Sequence, residues 1–170
     1  MAPFRLKGGP VGLEPLRMKK SGHLDSRGQA RMVDISGKPL QAREAVARGE
    51  IRLQPTTLDL IQTHGLAKGD VLGAARLAGI LAAKRTSQLI PLCHPVPITH
   101  CDVNFTIPKT RDRVRIQAAA KTLAQTGVEM EALAAVSVAA LTIYDMCKAA
   151  DKSMRITAIH LVRKTKRPIR

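Results

Sequence analysis

Asp145 and Lys148 stand three residues apart near the end of a long apolar stretch. On a helix that spacing puts both on one face, within reach of an ion pair. If the pair is exposed it is an ordinary helix ion pair worth about 0.2–0.5 kcal/mol. Its neighbours Tyr144, Met146 and Cys147 suggest partial burial instead. There the Lys148 pKa is expected to fall, and the pair could move protons. Glu129 and Glu131 flank Met130 at the start of the same stretch, just past Gly127. Carboxylates in a first turn serve the helix dipole, yet two at a helix mouth can also accept the donor groups of a base. His94 lies in Leu92-Cys93-His94-Pro95, held stiff by Pro91, Pro95 and Pro97. Either it is a hydrogen-bonded loop histidine or it is a positioned ligand contact. Cys93, His94, His100 and Cys101 fit no common zinc spacing, so no metal is expected. No P-loop, dinucleotide fingerprint or nucleophile elbow is present.

The elements that must hold these residues are readable from patterning. A strand is expected over about Arg43 to Leu53, with a bulge at Gly49. Pro55-Thr56-Thr57 opens a short helix to about His64, which Gly65 would stop. Asp70 caps a second helix running to about Leu89, whose face (Gly73, Ala74, Ala75, Ala78, Gly79, Ala82, Ala83) is small enough for close approach. Cys101, Val103, Phe105 and Ile107 alternate with polar residues, as do Val114, Ile116 and Ala118, which reads as a hairpin. A long helix is expected from Glu129 to Ala150, and a last strand from Arg155 to Arg163. The order β-α-β-β-α-β is the ferredoxin-like split pattern of the α+β class, an antiparallel sheet with helices on one face. Leu133, Val136, Val138, Leu141 and Ile143 spread around several faces of the long helix. One small sheet cannot cover them all, which implies an oligomer.

Composition bounds the function. The chain has 170 residues, with 28 Lys+Arg against 13 Asp+Glu, a net charge of +15. That balance suggests a polyanionic partner. Aromatics are only 2%, which disfavours base stacking on single strands. Residues 1–31 carry +5, 152–170 carry +7, and the middle only +3. Most of the basicity therefore sits in the ends. Residues 1–30 are rich in Gly, Pro and charge and read as a flexible leader rather than a transit peptide. Residues 31–164 read as a single domain, and 165–170 as a basic stub. Three cysteines, with no C-x-x-C pair, suggest free thiols in the cytoplasm. No run of about 18 apolar residues occurs, so no membrane-spanning helix is expected.

Several stretches carry a resemblance: Ile90-Pro91-Leu92-Cys93-His94-Pro95, Thr126-Gly127-Val128-Glu129-Met130-Glu131-Ala132-Leu133, and Ala139-Ala140-Leu141-Thr142-Ile143-Tyr144-Asp145-Met146-Cys147-Lys148-Ala149. With Ala30-Arg31-Met32-Val33-Asp34 and Lys68-Gly69-Asp70, they resemble the molybdenum cofactor biosynthesis protein C family over about residues 22–164. The resemblance implies a ferredoxin-like subunit in a homohexamer, a trimer of dimers with interface active sites. It implies a lyase that takes 3′,8-cyclo-7,8-dihydroguanosine 5′-triphosphate to cyclic pyranopterin monophosphate and diphosphate. Carried over, Asp145 and Lys148 form the catalytic pair. Leu92, Cys93, His94, Glu129, Met130 and Glu131 line the substrate site, and Lys68, Arg43 and Lys164 neutralise phosphate charge. No resident cofactor is implied; Mg²⁺ accompanying the triphosphate is the one candidate cation.

The chain departs from that family after Lys164. The usual glycine-rich tail, K-S-G-G-K-S-G, is replaced by Thr165-Lys166-Arg167-Pro168-Ile169-Arg170. Lys166 and Arg167 could substitute by charge alone. Two other readings compete: a basic RNA-binding ferredoxin-like protein, and a non-catalytic oligomeric homologue. The first would need aromatics on an open sheet face, whereas Phe105 falls on the expected core face.

Overall fold

The computed structural model describes residues 24–169 except Ser26. Most of the expected leader, and Arg170 of the expected stub, lie outside the described residues. The chain divides after Arg31. Before that point Leu24 bridges to Ala30, around Asp25, whose Oδ1 accepts from the Arg27 and Gln29 N–H groups.

From Met32 onward the order is β1 (Gln41–Arg52), α1 (Pro55–Gln62), α2 (Val71–Lys84), α3 (Thr86–Leu89), β2 (Ile98–Thr106), β3 (Arg113–Ala124), α4 (Glu129–Cys147) and β4 (Arg155–Pro168). The strands form one antiparallel sheet in the order β2-β3-β1-β4. That is the ferredoxin-like arrangement the alternation and element order predict. Ala45, Ala47 and Ile51 of β1, with Val114, Ile116, Ala118 and Ala120 of β3, are buried with α4 and α2 in one core. The other face of these strands carries Arg48, Glu50, Arg115, Gln117 and Lys121.

Local chemistry explains most boundaries. Asp70 caps α2 by accepting from the Gly73 N–H at 2.9 Å. α1 lacks a side-chain cap of its own. Buried Asp151 supplies one from across the chain, accepting from the Gln54 N–H at 2.8 Å and the Thr57 hydroxyl at 3.3 Å. Burial pulls the Asp151 pKa up, but these bonds and two from Ser153 outweigh it and hold the carboxylate ionised.

Several boundaries differ from the sequence reading; β2 starts at Ile98 rather than Cys101. α1 ends at Gln62, and His64 rather than Gly65 takes the left-handed conformation, at φ 54°. The second helix breaks at Arg85 into α2 and α3. There the Thr86 hydroxyl donates back to the Ala82 and Ala83 carbonyls, which competes with the helix ladder. α4 stops at Cys147, with Lys148 as its C-cap, instead of reaching Ala150. β4 does not end at Arg163: it continues to Pro168, paired with β1 as far as Gln41. Ladder hydrogen bonds to β1 hold residues that composition alone marks as a solvated tail.

The expected bulge at Gly49 is present, as a register shift between β1 and β4. A Cβ on Gly49 would lie 2.8 Å from Val136 Cγ1 and 2.9 Å from Ile159 Cγ1. α4 therefore crosses the sheet directly over that glycine. α4 is also long and apolar enough to span a bilayer by length and composition alone, although polar residues interrupt its apolar run. Here Ala132, Ala135, Val136, Ala139, Ala140 and Ile143 bury it in the core instead.

The small face of α2 meets α4 at Gly79. A Cβ there would lie 2.8 Å from the Ala135 carbonyl oxygen. Gly79→Ala thus sets a propensity gain of about 1 kcal/mol against a backbone clash. Overpacking of this kind costs about 1–3 kcal/mol, and a backbone oxygen cannot rotate away. The expected outcome is a lower midpoint in denaturant unfolding. A raised midpoint would show that the helices separate easily.

Candidate active site

The candidate residues gather at the two ends of α4. At the C-terminal end, the Asp145 carboxylate accepts from Lys148 Nζ on Oδ1 and from Lys68 Nζ on Oδ2, both at 2.7 Å. Lys68 Nζ also donates to the Asp145 carbonyl at 3.1 Å, satisfying one of the last carbonyls of the helix. Lys68 gets there because α2 runs antiparallel to α4, so the turn before α2 sits beside the end of α4. Gly69, at φ 78°, makes that turn, and Asp70 then starts the helix. Two cations at a helix C-terminus also suit its dipole.

The bonds from Lys148 and Lys68 hold the Asp145 pKa down to about 2. The same carboxylate raises the pKa of Lys148, whose side chain is 57% exposed. This corrects the expectation of a buried lysine with a lowered pKa. The flanking Cys147 is fully buried, but the helical turn rotates Lys148 outward. In the single chain Lys148 is an ammonium ion at neutral pH. Lys68 also moves: it belongs to the Asp145 cluster, not beside Arg43 and Lys164.

At the N-terminal end, Glu129 lies in the first turn and pairs with Lys164 of β4, Oε1 to Nζ 3.1 Å. Arg43 of β1 donates to the Ala124 and Gln125 carbonyls and to Gln41 Oε1. These residues line a cleft of about 260 Å³ with Gly127, Val128 and Lys166. Glu131 is only 4% exposed. Burial raises its pKa, and the Glu129 charge adds to that. Burial likewise pushes the Cys93 thiol up, with Glu131 contributing. The Thr122 hydroxyl donates to the Pro97 carbonyl at 2.7 Å, which ties the Leu92-Cys93-His94 loop to the end of β3, near the start of α4. His94 Nε2 lies 2.7 Å from the Val33 carbonyl. A carbonyl can only accept, so Nε2 carries the proton and Nδ1 keeps its lone pair in the neutral ring. Met130 is partly exposed at this end.

Arg43, Leu92, Cys93, His94, Glu129, Met130, Glu131 and Lys164 therefore stand at one end, and Lys68, Asp145 and Lys148 at the other. The 16 steps along the helix from Glu129 to Asp145 span about 24 Å. Sequence reasoning had no way to see this division, and it named Lys166 only together with Arg167, by charge, without telling which of the two lines the cleft. The signal for Lys166 was strand register, which emerges only once β4 is known to extend. Phe105 is on the core side, with the Arg76 guanidinium 5.7 Å over its ring. Among the described residues no group of three or more His, Cys, Asp or Glu side chains is placed to hold a metal.

The ionised Asp145 predicts a pH response. Its folded pKa lies below the ordinary 3.8, so the stabilisation is present above about pH 4 and is lost as pH falls through 2. Carboxyl NMR should find a midpoint near 2 for Asp145. Lys148→Ala and Lys68→Ala should each move it up, and the double variant should bring it to the ordinary range. A midpoint unmoved by either substitution would contradict the paired geometry.

The sequence model of the MoaC family matches residues 32–167. A cyclic pyranopterin monophosphate synthase of Chloroflexus aggregans is 58% identical over 142 residues, covering 84% of this chain and 86% of that protein. Proteins of the same name from Pelotomaculum thermopropionicum and Parvibaculum lavamentivorans are 59% and 56% identical, over 84% and 86% of this chain and 84% and 92% of their own lengths. On a match that runs through both ends of α4, the chain belongs to the MoaC family.

Proposed function

We propose that this chain is a cyclic pyranopterin monophosphate synthase, a lyase of molybdenum cofactor biosynthesis. Its substrate is 3′,8-cyclo-7,8-dihydroguanosine 5′-triphosphate, and its products are cyclic pyranopterin monophosphate and diphosphate. The observation that carries the reading is Asp145 held between Lys148 and Lys68, in a chain 56–59% identical to proteins of that name.

The two ends of α4 divide the work. Opening and rebuilding a purine-derived ring needs protons delivered and removed at several atoms. Lys148 starts as an ammonium ion, so its first act is to donate. Asp145 positions it and stabilises the charge. Closing a cyclic phosphate while diphosphate leaves builds negative charge, which Arg43 and Lys164 neutralise at the other end. Glu131 and Glu129, beside the His94 loop, accept the donor groups of the pterin. The proposed chemistry calls on no resident cofactor, and Mg²⁺ is the candidate cation that accompanies the triphosphate.

A gap of about 24 Å between the ends is too wide for one small molecule to touch both within one chain. The reading is therefore a site shared between subunits, in which the Asp145 end of one chain meets the Glu129 end of another. Leu77, Leu81 and Leu141 are 65%, 49% and 57% exposed on the helices, and apolar side chains of this kind suit a subunit contact. A homohexamer built as a trimer of dimers accommodates such sites. Three free thiols suit a cytoplasmic location.

Turnover of the cyclised triphosphate, followed by diphosphate release and pterin product, tests the reading. Removing a general acid typically costs about 10²–10⁴-fold, so Lys148→Ala should lose at least about 10²-fold in kcat with the fold intact. Near-normal turnover by that variant would refute the assignment. No product from the unaltered chain would refute the function and favour a non-catalytic homologue.

A further inference from the structure

The proposed site leaves one cation of the α4 N-terminal cleft without a role. β4 pairs with β1 so that Lys164 lies opposite Ala45, Thr165 opposite Glu44, Lys166 opposite Arg43, and Arg167 opposite Ala42. Residues directly opposite in an antiparallel pair share a face. Ala45 is buried toward the helices, and Arg43 stands two residues before it on the same side. Lys164 and Lys166 therefore face the α4 layer, while Thr165 and Arg167 face the open side. The lining sorts the two tail charges the same way: Lys166 joins Arg43, Gly127, Glu129 and Lys164 in the cleft, whereas Arg167 lines an adjoining hollow with Lys121 and Leu123, the two hollows sharing Arg43, Glu44 and Thr165 at their border.

The cleft's charges are not balanced. Arg43 is held by two carbonyls and Gln41, and Lys164 is held by Glu129. Among the described residues, Lys166 has no carboxylate within ion-pair distance, and it stands opposite Arg43. Like charges directly opposite on a sheet destabilise it. Here the chain places such a pair at the mouth of a helix, where the first N–H groups of α4 also favour an anion. A Cβ on Gly127 would collide with the Glu129 carboxylate, so the glycine lets that carboxylate fold back beside Lys164. It does not reach Lys166.

We infer that Lys166 is a substrate-binding residue that grips the outer phosphates, the part of the triphosphate that leaves as diphosphate. A doubly charged oxyanion between Arg43 and Lys166 turns their repulsion into two charge-assisted contacts. The inference rests on the proposed function. It separates two adjacent tail charges that composition cannot tell apart: Lys166 acts, and Arg167 is bystander charge on the other face.

Lys166→Ala, Lys166→Arg and Arg167→Ala are compared with the unaltered chain by steady-state kinetics and by calorimetric titration with inorganic diphosphate. A lost charge-assisted contact of about 1.4 kcal/mol is tenfold in affinity. Lys166→Ala should raise KM and weaken diphosphate binding about tenfold, with kcat changed less than about threefold. Lys166→Arg should restore most of the affinity, and Arg167→Ala should behave as the unaltered chain. Diphosphate binding and KM unchanged in Lys166→Ala, or weakened equally in Arg167→Ala, would overturn the inference. Failure of the unaltered chain to turn over the nucleotide, with Lys166-dependent diphosphate binding retained, would count against the proposed function alone.

Discussion

One rigid element sets the terms for everything else: α4, an apolar helix of 19 residues with charged groups at both ends. Its middle is buried on two sides, by the sheet and by α2. It can neither bend nor shorten without exposing that surface. Its ends are therefore held about 24 Å apart, with Asp145 and its two lysines at one and Glu129, Glu131 and the basic β4 strand at the other. On the proposed reading, the chain separates its acid–base group from its anion-binding group by construction, and bringing them to one substrate takes a second chain.

The packing around α4 shows how that rigidity is achieved with few large side chains. The core is mostly Ala, Val and Ile. Two glycines allow α4 to settle closely, Gly49 beneath it in the sheet and Gly79 beside it on α2. Close approach gains dispersion contacts along the full length of the helix. Because α2 runs antiparallel to α4, the same contact delivers Lys68 to Asp145. Asp151, just past the helix, ties α1 to the same region through buried hydrogen bonds. Structural glycines and a buried carboxylate thus position a site they never touch.

Much of this was legible in the sequence. Period-two alternation in β2 and β3, the Asp70 cap and the small face of α2 gave the fold. The spacing of Asp145 and Lys148 gave their pair. What stayed hidden was long-range. No local pattern says that Lys68 lies against Asp145, because that contact depends on how α2 and α4 cross. Burial of Cys147 suggested burial of Lys148, yet one helical step of about 100° turns the lysine to solvent. The tail was misread for a related reason. Thr165 to Pro168 look like a solvated stub by composition, and only pairing with Gln41–Glu44 makes them a strand. That strand also sorts its charges by face, which a net charge of +15 conceals.

The central claim is that one active site takes the Asp145 end from one chain and the Glu129 end from another. Mixing two damaged chains tests it directly. Lys148→Ala spoils one end and Lys164→Ala the other, so each alone is impaired at every site. Co-assembled from a denatured mixture, the two chains should form some sites in which both contributing ends are intact. The account predicts that diphosphate release by the mixture rises well above that of either variant refolded alone. A mixture no more active than its better parent would mean that each site is built within a single chain, and would contradict the account.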